Sequence, residues 1–91
     1  MRTVKLFATL RDLAGAKTLD IPFERGSVRD LVRAIGEVCP PIAAKMLDEQ
    51  GQLNGVVHIL VNGRNVEWLQ GMDTSIEADD DLILIPPAAG G

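Results

Sequence analysis

Aromatic side chains are nearly absent: the 91 residues include Phe7, Phe23 and Trp68 and no tyrosine. A core must therefore be assembled mainly from valine, leucine and isoleucine. Basic residues are in deficit, with 9 Lys plus Arg against 13 Asp plus Glu and a formal charge of -4. A nucleic-acid binder needs a cationic face to displace counterions from phosphates, and usually interleaves it with aromatics; DNA or RNA binding is not expected. A moderately acidic surface suits solubility or a basic partner protein. The single cysteine, Cys39, allows no intramolecular disulfide and gives no sign of an oxidising compartment. No apolar run approaches the roughly 18 residues that would span a bilayer, and MRTVKLFATL reads directly as a strand rather than as a signal segment. No membrane association is expected, and the expected setting is the cytoplasm. There is no phosphate-binding GxxxxGK[ST] loop, no zinc pattern and no Ser-His-Asp arrangement, so an autonomous enzyme is not expected.

What is present is enough for one small domain. Apolar residues make up 46% of the chain, although a domain of this size buries only part of its surface. Thr3 to Ala8 alternates, with Val4, Leu6 and Ala8 on one side and Thr3, Lys5 and Phe7 on the other. RDLAGAK reads as a turn punctuated by Gly15, and KTLDIPF as a second strand. GSVRDLVRAIGEV predicts the main helix. Ser27 is its N-cap, Asp30 stands at the capping-box position, and Val28, Leu31, Val32 and Ile35 form its buried face. Pro40 and Pro41 stop that helix and open a short second one, where Ile42, Met46 and Leu47 pack inward and Gly51 signals the end. Asn62-Gly63 predicts a tight hairpin between Val56–Val61 and Arg64–Trp68. GMDTSIEADDD reads as a polar connection anchored by Ile76. LILI, Leu82 to Ile85, reads as a central strand. The order predicts an α+β domain over residues 1–85, a mixed sheet of about five strands on one main helix plus a short second helix. This is the β-grasp (ubiquitin-like) arrangement, in which the last strand lies parallel beside the first.

The last six residues, PPAAGG, follow that strand directly. Pro86 and Pro87 cannot extend a ladder and favour a stiff, extended exit. Ala88, Ala89, Gly90 and Gly91 keep the segment thin, and the six together reach roughly 20 Å when extended. An arm over residues 86–91 of this shape fits a narrow tunnel in another protein. Its tip is the Gly91 carboxylate, a poor acyl donor until a partner with ATP activates it. Small residues also collect at chain ends that do nothing, so an inert tail stays open on composition alone.

Strand alternation also predicts an apolar outer sheet face. Phe7, His58, Leu60, Ile83 and Ile85 oppose the core-facing set and are candidate partner-docking residues, although scattered exposed apolar residues are common. His58 has no cysteine or carboxylate at metal-ligand spacing, so no metal site is expected and a rim role is favoured. Cys39 reads as buried packing, since no base accompanies it. Asp79-Asp80-Asp81 reads as a solvated turn.

The stretches VKLFATLRDLAG, HILVNGRNV, LILIPP and the terminal GG, in order over nearly the whole chain, resemble the MoaD/ThiS family of ubiquitin-like β-grasp sulfur carriers. The extra length between Pro40 and Gly55 is similar to the branch that includes archaeal small modifiers and cysteine-synthesis carriers. The resemblance implies that an E1-like adenylyltransferase uses ATP to adenylate Gly91, which then becomes a thiocarboxylate. It implies a sulfurtransferase or pathway enzyme as the next partner, for example the large subunit of molybdopterin synthase. The accepting pathway would be molybdopterin, thiamine, cysteine or thiolated tRNA. In some members the same glycine is joined to target-protein lysines. The chain itself would bind no cofactor and act as a carrier, or as the small subunit of a synthase. Two positions depart from the family pattern: Ala78-Asp79-Asp80 stands where a glycine-containing turn is common, and Ile85 where a large aromatic is common. Three roles are therefore carried forward: sulfur carrier, protein modifier, and interaction module with an inert tail.

Overall fold

The computed structural model describes residues 1–86. Strand β1, Arg2–Leu6, alternates as expected, with Arg2, Val4 and Leu6 buried and Thr3 and Lys5 exposed. Helix α1, Thr9–Ala14, occupies the segment expected to be a turn. Gly15, at φ 71°, ends this helix by donating its N–H to the Arg11 carbonyl. The glycine was thus a helix stop rather than a loop signal. Strand β2, Thr18–Ile21, runs antiparallel to β1 with Thr3 opposite Asp20. A two-residue strand β3, Gly26–Ser27, leads into α2, Val28–Val38.

The α2 cap is the one the sequence predicts. Ser27 Oγ accepts the Asp30 N–H, and Asp30 Oδ2 accepts the Ser27 N–H at 3.1 Å. Two backbone donors that the helix leaves orphaned are satisfied by this exchange. Val28, Leu31, Val32 and Ile35 are buried. Helix α3, Pro40–Met46, begins on the proline pair and buries Ile42 and Met46. It ends before Gly51, which at φ 78° serves a separate turn where the Asp48 carboxylate accepts the Gln50 and Gln52 N–H groups.

Strand β4, His58–Val61, and β5, Arg64–Asn65, form the predicted hairpin. Asn62 and Gly63 both hold positive φ, 53° and 83°, as that tight turn requires. The second strand is shorter than expected. The Asn65 side chain accepts the Glu67 N–H and starts a 3-10 turn at Val66–Trp68, a local bond that competes with the ladder. A second 3-10 turn, Gly71–Asp73, precedes β6, Ser75–Ile76, which pairs with β3. Strand β7, Leu82–Ile85, is the predicted LILI segment.

The main sheet has the order β2-β1-β7-β4-β5. Only β1 and β7 are parallel, with Leu6 beside Leu84; β4 is antiparallel to β7, with Ile59 beside Leu84. The inward face meets α2 and α3 in one core that includes Val4, Leu6, Leu31, Ile35, Ile59 and Leu84. This is the ubiquitin-like β-grasp fold, with α1 as a third helix beside the two expected. No helix among the described residues is long and apolar enough to cross a membrane.

Candidate functional site at the open sheet face and tail root

Strand β7 is central, so its end delivers the tail from the middle of the sheet. Pro86 is buried, and the candidate tail residues Pro87, Ala88, Ala89, Gly90 and Gly91 lie outside the described residues. On the face turned away from α2, Ile83 and Ile85 are half-buried. The register sets His58 beside Ile85 and Leu60 beside Ile83. These four candidate docking residues therefore share one open patch on the two strands that frame the tail's exit. Toward β2 the same face turns polar, through Lys5, Thr18, Thr3 and Asp20. Phe7 lies just beyond β1 and is 39% exposed. The Arg11 guanidinium sits 5.2 Å from its ring centroid, a cation–π arrangement.

His58 is held by a chain of local bonds. Asn65 Oδ1 accepts the Glu67 N–H at 2.9 Å, which directs Nδ2 of the same amide toward His58 Nδ1 at 3.0 Å. An amide nitrogen only donates, so Nδ1 accepts, and the network assigns the ring proton to Nε2. Cys39 is buried where α2 meets α3, with Sγ 3.9 Å from the Leu13 carbonyl. No cluster of potential metal ligands occurs among the described residues.

The acidic run before β7 is a hydrogen-bonded turn. Asp80 accepts the Glu77 N–H at 2.7 Å and the Asn62 amide at 2.8 Å. Asn62 also exchanges backbone and side-chain bonds with Asp81, both at 2.9 Å. The hairpin tip is thereby tied to the start of β7. The Glu77 N–H first, and the Asn62 amide second, hold the Asp80 carboxyl below the usual aspartate range. A carboxylate whose pKa falls on folding stabilises the native state above the unfolded value, about 3.9, and that contribution is lost as pH drops through the folded value. The Asp80→Asn variant, which does not titrate, is expected to lose less Tm than the wild type below about pH 4. Thermal melts across that range check it, and parallel slopes would contradict it.

Arg2 stands two residues before Val4, on the inward register of β1. Its guanidinium is buried and donates to the carbonyls of Glu24, Glu77 and Asp80. One side chain thus ties the edge of the fold to the turn that launches β7. The Arg2→Met variant leaves these carbonyls without that donor and is expected to lose roughly 1–3 kcal/mol, read from denaturant unfolding. Trp68, expected at the end of the second hairpin strand, lies instead in the 3-10 turn. It projects from the 3-10 turn with 84% of its surface exposed. A groove lined by Leu60, Arg64, Trp68 and Leu69 joins it to the apolar patch.

Comparison with known proteins fits this geometry. The ThiS family model matches residues 4–91. A putative sulfur carrier protein of Archaeoglobus fulgidus is 32% identical over 73 residues, which is 80% of this chain and 83% of the relative. Small archaeal modifier protein 3 of Haloferax volcanii is 32% identical over 89 residues, covering 97% of this chain and 96% of its own. The solution structure of small archaeal modifier protein 1 from Methanosarcina acetivorans is similar with a TM-score of 0.77 at 33% identity, over 98% of this chain and 94% of that one. The chain belongs to the ThiS family, whose members are ubiquitin-like sulfur carriers and small protein modifiers.

Proposed function

We propose that the chain is a sulfur carrier whose working group is the Gly91 carboxylate. The observation that carries this reading is the central strand β7, which ends at Ile85 directly before Pro86, with the family match extending to Gly91. The β-grasp body, residues 1–85, presents the docking face; residues 86–91 are the arm. In the first step the Gly91 carboxylate attacks the α-phosphorus of ATP, held by an E1-like adenylyltransferase, and pyrophosphate leaves. In the second a sulfide equivalent attacks the acyl carbon and AMP leaves, so one carboxylate oxygen is replaced by sulfur. The chain binds no cofactor, and ATP belongs to the partner. Catalysis is the partner's as well, and the expected setting is the cytoplasm.

The sulfur acceptor we propose first is the molybdopterin precursor, with this chain as the small partner of a synthase. Thiamine, cysteine and tRNA thiolation are the alternatives, which the neighbouring genes would separate. The test of the carrier reading is adenylation. The E1-like enzyme of the source genome, given ATP and this chain, should release pyrophosphate in proportion to the chain added. Release that ignores the chain would overturn the reading.

A second reading is favoured by the relatives named as modifiers: Gly91 joined by an isopeptide bond to target-protein lysines. It predicts Gly-Gly remnants on lysines after protease digestion, which disappear in a strain lacking this chain. The same lysines carrying remnants in both strains would contradict it.

A further inference from the structure

On the side of the tail root away from the sheet face lies a groove of about 360 Å³ between α1, α3 and the segment before β4. Its lining includes Leu13, Val56, Val57 and Pro86, with Asp12 and Lys45 also on its wall. Val57 is buried, but Leu13 and Val56 leave 37% and 43% of their surfaces in solvent. An apolar cavity of about 150 Å³ already holds a benzene-sized group, so this groove has room for a large aliphatic or aromatic side chain. Neither Asp12 nor Lys45 joins an ion pair among the described residues.

Pro86 is at once a wall of this groove and the residue from which the arm leaves. A protein that grips the chain at residue 87 meets this wall at its first contact. We propose that the groove is a second docking point for that protein. Its occupant is one apolar side chain of the partner, flanked by an acidic residue that meets Lys45 and a basic residue that meets Asp12. The partner then grips the arm's root from two sides, at the sheet face and at this groove. The arm's direction is fixed before Gly91 reaches the activating site. This inference rests on the reading of residues 86–91 as the reactive arm.

The test uses the full chain, the E1-like enzyme of the source genome, ATP and a sulfide source, so that each adenylate is discharged, with steady-state pyrophosphate release followed as chain concentration is varied. Val56→Asp and Lys45→Glu are expected to raise KM for the chain about tenfold or more with little change in kcat, as loss of a buried interface anchor does. Arg25→Asp, an equal charge change at an exposed position after β2, at the end of the sheet opposite Leu6 and α1, is the control and should leave KM unchanged. Circular dichroism checks folding, and Lys45→Glu, at an exposed site, keeps the test valid if Val56→Asp unfolds. Turnover of the wild type with unchanged KM in both groove variants would overturn this inference and leave the carrier reading standing. No turnover of the wild type would overturn both.

Discussion

Removal of Gly90 and Gly91 is expected to abolish adenylation of the chain without lowering its Tm. The expectation for Tm rests on the core, whose described members end at Leu84 of β7. The truncated chain still ends in a carboxylate, at Ala89, so the chemistry offered is the same. What changes is reach, shorter by roughly 7 Å for two extended residues, and the presence of a Cβ at the tip. A misplacement of about 1 Å in a reacting group already costs on the order of 10²-fold, so the truncation should leave no measurable turnover. Gly91→Ala keeps the reach and adds only the Cβ, and should fall between the wild type and the truncation. Equal adenylation of all three proteins would contradict a specific role for Gly90 and Gly91.

The second large effect is expected at the sheet face. Leu60→Asp and Ile85→Asp each place a carboxylate in the apolar patch on the central strands. If a partner covers this patch, the charge is stripped of water without a counter-ion, which is costly. Binding to the adenylyltransferase should weaken about 100-fold for each variant, read by calorimetry. Thr18→Asp lies on the same face at its polar edge, on β2, and should change binding little. Stability should move less than affinity, because Leu60 and Ile85 are half-buried rather than core residues. A Thr18→Asp loss equal to the other two would mean that the patch has no special role. Trp68→Ala extends the test: its exposed indole borders the groove beside Leu60, and tryptophan is the residue type most enriched among interface anchors.

The elements legible in the sequence are those specified by strong local chemistry. Ser27 and Asp30 cap α2, Asn62-Gly63 forms the hairpin turn, and Leu82–Ile85 is a central strand. The alternation of Val4 and Leu6 against Thr3 and Lys5 gave the sheet its two faces, and with them the patch at His58, Leu60, Ile83 and Ile85. Helix α1 was hidden because it spans under two turns, too few for a 3.6 period to show. Its N-cap position is Ala8, at φ 50°, with no capping side chain to mark a start. Strand β5 was overextended because Asn65 acts through its side chain, and only the folded geometry reveals that bond.

Strands β3 and β6 have two residues each and pair far apart in sequence, Gly26 with Ile76 being one register pair. No local pattern encodes such a contact. The groove at Pro86 escaped for the same reason. Leu13, Lys45, Val56 and Pro86 come from four separate stretches and meet only when α1 and α3 pack beside the end of β7. Arg2 is an intermediate case. The inward register of β1 is legible, but the three carbonyls that the guanidinium satisfies, at Glu24, Glu77 and Asp80, are brought together only by the fold.

The central claim is that Gly91 carries sulfur, and intact mass measures it most directly. The chain is incubated with its E1-like enzyme, ATP and a sulfide source, and then weighed. Exchange of one oxygen for sulfur should add about 16 Da to the whole chain and to its C-terminal peptide. The gain should vanish when ATP is omitted and in the chain lacking Gly90 and Gly91. An unchanged mass, under conditions where the same enzyme adenylates the chain, would contradict the carrier account.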